Sequence, residues 1–251
     1  MRRIFRFTLL GIWGAVLGWL FYNMQARGVS PAMFHTNARV TVEATDAGYS
    51  FTPAPDTHRT ALVFFPGSMV ETEAYVPMAR AAAEAGYKVV LIDVPLMASW
   101  FERAQEKIYG RARAFMAADA DRRWVAGGHS LGGKFALAFA RQEAGALDGL
   151  FLVATSHPRE EDMRSLTIPV MKVYGSEDGL ASEDEIDTFG INLPAHTQWV
   201  RVAGANHAQF AWYGRQLGDG RASITREVQQ AALDDALLTL LGAVEASEAT
   251  R

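Results

Sequence analysis

Six short runs rich in β-branched and aromatic residues constrain the fold of this chain more than any other feature: "ALVFF" (61–65), "KVVLIDV" (88–94), "RWVAGG" (123–128), "GLFLVAT" (149–155), "VMKVYG" (170–175) and "TQWVRV" (197–202). They read as strands that are apolar on both faces, as strands must be when helices cover each side of a sheet. Helical stretches separate them: "ETEAYVPMARAAAEAG", "ASWFERAQEKIYGRARAFMAA", the residues after Ser130, and "SEDEIDTF". The first ends at Gly86, a natural left-handed stop, and the last opens with Ser182 and Glu185 in capping-box spacing. "SITREVQQAALDDALLTLLGAV" closes the chain as a long amphipathic helix. Strand and helix alternating at this density predict an α/β domain with a mostly parallel sheet and helices on both faces. Ahead of it, "ARVTVEAT" and "GYSFTPA" alternate as an antiparallel pair joined by a turn at Asp46-Ala47-Gly48. A length of 251 residues accommodates one such domain with small extensions.

The N-terminus departs from this pattern. Arg2, Arg3 and Arg6 precede "FTLLGIWGAVLGWLFY", which with Ile4 and Phe5 comes near the roughly 20 apolar residues that span a bilayer. The expectation is a membrane anchor or signal segment over residues 1–27, a linker over 28–38 and the α/β domain over 39–251. Basic residues ahead of the run predict a cytoplasmic N-terminus and a domain on the extracytoplasmic side. A cleaved signal, giving a secreted protein, and a buried helix of the domain are the competing readings. "NMQARGVS" offers no clean small-x-small cleavage site, and the run has no polar face. A formal charge of −4 shows no basic excess for nucleic acid, so none is expected as a partner. The absence of cysteine removes thiolate metal sites and Cys nucleophiles from consideration.

Within "AGGHSLGGKFALAFA" (126–140), Ser130 stands between glycines where a strand gives way to a helix. Gly128-His129-Ser130-Leu131-Gly132 is a G-x-S-x-G sequence in the context of a nucleophile elbow. The turn forces the serine into strained backbone angles, and side chains at the flanking positions would collide with neighbouring elements. The hydroxyl is thereby raised above the carboxyl edge of the sheet, and the N–H groups of the next helix face the charge that develops there.

Together with "FFPGSMVETEAY", "YGSEDG" and "GANHAQF", this stretch resembles the α/β-hydrolase family, over roughly residues 40 to 245. The short connections and the F-x-P-G opening resemble its capless, dienelactone-hydrolase-like branch. That branch often uses a cysteine nucleophile; here the position is Ser130. The resemblance implies the α/β-hydrolase fold and a triad in the chain order nucleophile, acid, histidine, for which Ser130, Asp178 and His207 are the candidates. Asp178 follows "VMKVYG" at a strand's carboxyl end, with Glu177 expected to point the other way, and His207 follows "TQWVRVAG" late in the chain. Among six histidines His207 alone has that position; His157 is the second candidate for the base, and His129 is expected to point away from the nucleophile. The oxyanion hole takes one N–H from Leu131 and a second from "PGSMV", that of Ser68 or, failing it, Met69. The parts specify acyl transfer without metal or organic cofactor.

The connection 156–167 has twelve residues, too few for a lid domain, so no large cap is expected. Trp100, Phe101, Met69 and Met97 are candidates for the mouth of an open cleft, and Gln209 or Asp219 for bracing the loop that carries His207. The expected activity is hydrolysis of a small-molecule carboxylic ester. Amide, thioester or lactone hydrolysis, acyl transfer, and a non-catalytic binding protein of the same fold are the alternatives.

Overall fold

The structure, a computed structural model, describes residues 2–95 and 102–247, with side chains from Gly11 onward. Eight strands form one sheet: β1 (Val40–Thr45), β2 (Gly48–Pro53), β3 (Thr60–Phe65), β4 (Lys88–Ile92), β5 (Arg123–His129), β6 (Gly149–Val153), β7 (Val170–Gly175) and β8 (Gln198–Val202). Among the described residues six α-helices accompany them: α1 (Arg2–Met24), α2 (Val76–Glu84), α3 (Glu102–Ala118), α4 (Leu131–Gln142), α5 (Glu183–Gly190) and α6 (Arg226–Ala246). The strand order is β1-β2-β4-β3-β5-β6-β7-β8. From β4 to β8 every pairing is parallel, while β1 with β2 and β2 with β4 are antiparallel. This is an α/β-hydrolase fold.

Alternation along each buried strand divides the core in two. Leu62 and Phe64 of β3, with Phe151 and Val153 of β6, face Met78, Ala82, Leu237 and Leu240 from α2 and α6. Ala61, Val63 and Phe65 face Tyr109, Phe135 and Phe139 from α3 and α4. Phe65 meets Phe139 edge to face at 5.7 Å between ring centroids, which braces the end of β3 against α4. The sequence boundaries deviate where local chemistry intervenes. Thr72–Tyr75 forms a 3₁₀ turn before α2, whose first turn holds Pro77, a residue with no N–H to lose there.

The order also fixes where a site can form. From β3 the chain passes to β4 on one side, and β5 then lies on the other side of β3; α2, after β3, and α4, after β5, cover opposite faces. Their loops therefore part at the carboxyl ends of β3 and β5, the crevice in which open α/β sheets bind ligands. The segment 154–169 between β6 and β7 contains no helix or strand, and no large cap is present among the described residues.

The apolar N-terminal run forms α1, which exposes Trp13, Leu17, Phe21 and Tyr22. Among the described residues no helix is long and apolar enough to cross a membrane, and the expected anchor is not shown. Residues 28–38 are held against the domain. Arg80 Nη1 donates to the carbonyls of Met33 and His35 at 2.9 and 3.0 Å, beside a 3₁₀ turn at Pro31–Phe34.

Candidate active site

Ser130 lies at the junction of β5 and α4 with φ 54° and ψ −120°, a conformation L-residues rarely adopt. Its N–H donates to the Val153 carbonyl of β6 at 2.9 Å, which holds the turn to the neighbouring strand. The flanking glycines are required by space. A Cβ on Gly128 would stand 2.1 Å from the Gly132 carbonyl oxygen, and one on Gly132 would stand 1.9 Å from that of Phe65.

Asp178 and His207 are buried together, at 5% and 1% exposure. His207 Nδ1 lies 2.9 Å from Asp178 Oδ2 and 3.1 Å from Oδ1. The carboxylate is fixed in turn: Oδ1 accepts the N–H groups of Leu180 and Ala181, each at 2.8 Å. An ionised carboxylate accepting from Nδ1–H sets the tautomer in which Nε2 is free to take a proton. That Nε2 is buried without a hydrogen-bond partner among the described residues.

Ser130, Leu131 and His207 line one cleft of about 190 Å³, with Ala154, Thr155, Ser156, His157 and Arg159 on its far wall. Arg159 steadies that wall, donating through Nε and Nη2 to Ser156 Oγ at 2.9 and 2.7 Å and through Nη2 to Glu185 at 2.7 Å. Leu131 is the first residue of α4, so its N–H has no acceptor within the helix. After β3, Met69 takes a φ of 63°, and the N–H groups of Ser68 and Met69 find no acceptor among the described residues. Backbone strain and unpaired donors here suit an oxyanion-binding turn. The Met69 side chain does not line the Ser130 cleft; it borders a separate cavity with Phe21 and Gln25 of the N-terminal segment.

His157 lines the cleft, but its Nδ1 has no hydrogen-bond partner among the described residues, and burial with the nearby Lys134 cation pushes it down to about 4. Glu177, Asp184 and Asp187 are exposed. Met97, Trp100 and Phe101 lie outside the described residues. Asp219 supports the histidine loop: Oδ1 accepts from the His207 N–H at 3.0 Å and Oδ2 from the Ala208 N–H at 2.9 Å. Gln209 instead joins that loop to α6 and the chain ahead of it, donating to the Ile224 carbonyl and to Gln229.

Sequence reasoning missed one network altogether. The Gly67 N–H donates to Tyr75 Oη at 2.9 Å, and that hydroxyl meets His129 Nδ1 at 2.8 Å. With the hydroxyl donating, His129 is the Nε2–H tautomer. Its ring packs on that of His207 at 4.6 Å, and burial, with the nearby His207, keeps it well below the usual imidazole range and therefore neutral. Tyr75 and His129 stand 54 residues apart, and neither carries a local signal that points to the other.

Beneath the cleft wall, Lys172 of β7 is fully buried, and its ammonium donates to the His157 carbonyl at 2.9 Å. Burial pushes it down to about 7. Between that value and the ordinary lysine value of about 10.4 the unfolded chain binds more protons than the folded one. Stability from this residue is therefore present above about 10.4 and is lost as pH falls to about 7, a cost on the order of a few kcal/mol. Lys172→Met is expected to raise the melting temperature at pH 7 and to remove part of its rise between pH 7 and 10. An unchanged slope over that range, read by calorimetry, would contradict the assignment.

The alpha/beta hydrolase family matches residues 61–231, and the chain belongs to it. Solved structures agree on the fold. A dienelactone hydrolase-like promiscuous phosphotriesterase from metagenomic libraries is 15% identical at a TM-score of 0.63, covering 80% of this chain and 99% of that one. A protein described as a predicted CIB-like hydrolase from Thermoplasma acidophilum is 17% identical at 0.61, with coverage of 80% and 99%. A thermophilic esterase from Thermogutta terrifontis is 15% identical at 0.58, with coverage of 83% and 100%. No curated protein sequence matches the chain.

Proposed function

We propose that the chain is a serine hydrolase that cleaves carboxylic esters of small molecules through an acyl-enzyme. The observation that carries this reading is the buried Asp178–His207 pair, whose Nε2 is unpaired in the cleft that also holds Ser130 at its strained elbow. His207 takes the Ser130 proton as Oγ attacks the ester carbonyl. The oxyanion then meets the N–H of Leu131 and that of Ser68 or Met69. His207 returns the proton to the departing alcohol, and a water, deprotonated by the same imidazole, releases the acid. A cleft of about 190 Å³ suits a short acyl group.

The N-terminal segment is read as a tether. Arg2, Arg3 and Arg6 at the N-terminal end of α1, ahead of its apolar run, and large apolar side chains exposed on the helix such as Trp13 (58%) and Leu17 (60%), suit a bilayer with the domain on its extracytoplasmic side. The test of the chemistry uses the full-length chain in detergent with a panel of acyl esters, anilides and thioesters. A fluorophosphonate probe is added in parallel. Hydrolysis of short acyl esters together with labelling is expected; a chain that is folded, unlabelled and inert to every ester would overturn the proposal.

A further inference from the structure

The end of α1 and the residues after it do more than join a tether to a domain. Residues 23–27 lie between the two loops that flank the chemistry, and they bind both. On one side, the Glu71 N–H donates to the Met24 carbonyl at 3.2 Å, and Glu71 Oε2 accepts the Ala26 N–H at 2.9 Å. Glu71 is three residues from Ser68, in the turn that presents the second oxyanion donor. On the other side, the N–H groups of Gly214 and Arg215 donate to the carbonyl and the Oδ1 of Asn23, at 2.7 and 3.0 Å. The Arg27 N–H donates to the Trp212 carbonyl at 2.7 Å, and Ala26 forms a β-bridge with Tyr213. Trp212 to Arg215 belong to the loop that begins at His207.

This segment is built into the domain. Asn23 and Met24 are 6% and 5% exposed, and a Cβ on Gly214 would stand 2.4 Å from Asn23 Oδ1. Asn23 Nδ2 donates to the Trp19 carbonyl at 2.8 Å, so the last turn of α1 fixes the side chain that fixes the histidine loop. Among the described residues, the Trp212 N–H to Ala74 carbonyl bond, at 2.9 Å, is the only direct backbone connection between the two loops.

We propose that Asn23 to Arg27 are a positioning strap for catalysis, holding the oxyanion turn and the His207 loop in register. Asn23 and Glu71 are its two anchor points. The proposal rests on the hydrolase reading above. Its physical basis is that transition-state stabilisation depends on sub-ångström placement of donors and base, whereas substrate binding in the cleft around Ser130 does not pass through the strap. Loss of an anchor therefore acts on kcat more than on KM.

The test uses the full chain in detergent with two pairs of variants. Asn23→Ala removes the acceptor for the Arg215 N–H, and Asn23→Asp keeps it. Glu71→Ala removes the acceptor for the Ala26 N–H, and Glu71→Gln keeps one. Each alanine variant is expected to lower kcat, and the rate of fluorophosphonate labelling, by roughly 10- to 100-fold with KM within about twofold. Glu71→Gln should recover most of its loss, and Asn23→Asp, which keeps the acceptor for Arg215 but gives up the Nδ2 bond to the Trp19 carbonyl, a smaller part. Wild-type kcat and labelling in both alanine variants would overturn the strap, as would losses that the Asp and Gln variants share in full. A wild-type chain that is itself unlabelled and inactive would overturn the hydrolase reading and the strap with it. If one alanine variant does not fold, the other anchor decides.

Discussion

Replacing Ser130 by alanine is expected to abolish fluorophosphonate labelling and to lower ester turnover by roughly 10⁴- to 10⁶-fold, with the melting temperature nearly unchanged. What remains is the contribution of the oxyanion donors and of binding alone. The expectation follows from the backbone. A serine at φ 54°, clamped between Gly128 and Gly132, is held in a costly conformation whose effect is to present one hydroxyl. His207→Ala should be comparably damaging, and the double variant little worse than either, because nucleophile and base act as a unit. Steady-state kinetics on the four proteins check this. Ester turnover retained in Ser130→Ala would remove the nucleophile assignment.

The second large effect is expected from Asp178→Asn, and its cause can be traced atom by atom. Oδ1 of Asp178 accepts from the backbone N–H groups of Leu180 and Ala181, so the oxygen of an asparagine stays on that side. Its amide then replaces Oδ2, 2.9 Å from His207 Nδ1, and donates to it. That hydrogen bond stabilises the tautomer carrying its proton on Nε2, which cannot accept the Ser130 proton. A fall in kcat of roughly 10²- to 10⁴-fold is expected at unchanged fold. Nitrogen-resolved NMR of the imidazole should show the tautomer exchanged. Near-wild-type turnover in this variant would mean that the buried pair does not orient the base.

The parts of this molecule that were legible in the sequence are those with a local signature. β3 to β7 fall where nearly continuous apolar runs occur, because a strand covered on both faces buries almost every position, with the buried Lys172 of β7 an exception. β1 and β2 were visible because their alternation is that of an edge pair. Ser182 caps α5 as its spacing suggests, accepting from the Glu185 N–H. Ser130 was legible from its glycines, while Asp178 and His207 became candidates through chain order and resemblance, and the structure brings these two together.

Contacts between residues far apart in the chain were not legible. Nothing near Tyr75 announces His129, and nothing near Asn23 announces Arg215. Such pairs depend on how the loops pack across the carboxyl edge of the sheet, which no local periodicity encodes. Residues 28–38, without a period of their own, read as a linker for the same reason, although Arg80 reaches them across the surface.

The most direct measurement on the central claim is rapid-quench mass spectrometry of the full-length chain mixed with an activated short-chain ester. An acyl-enzyme mechanism predicts a protein mass increased by one acyl group within the first turnover. Fragmentation should place that group on Ser130, and its decay should match the rate of acid release. Ester hydrolysis without any covalent adduct, or an adduct on a residue other than Ser130 that turns over at the catalytic rate, would contradict it.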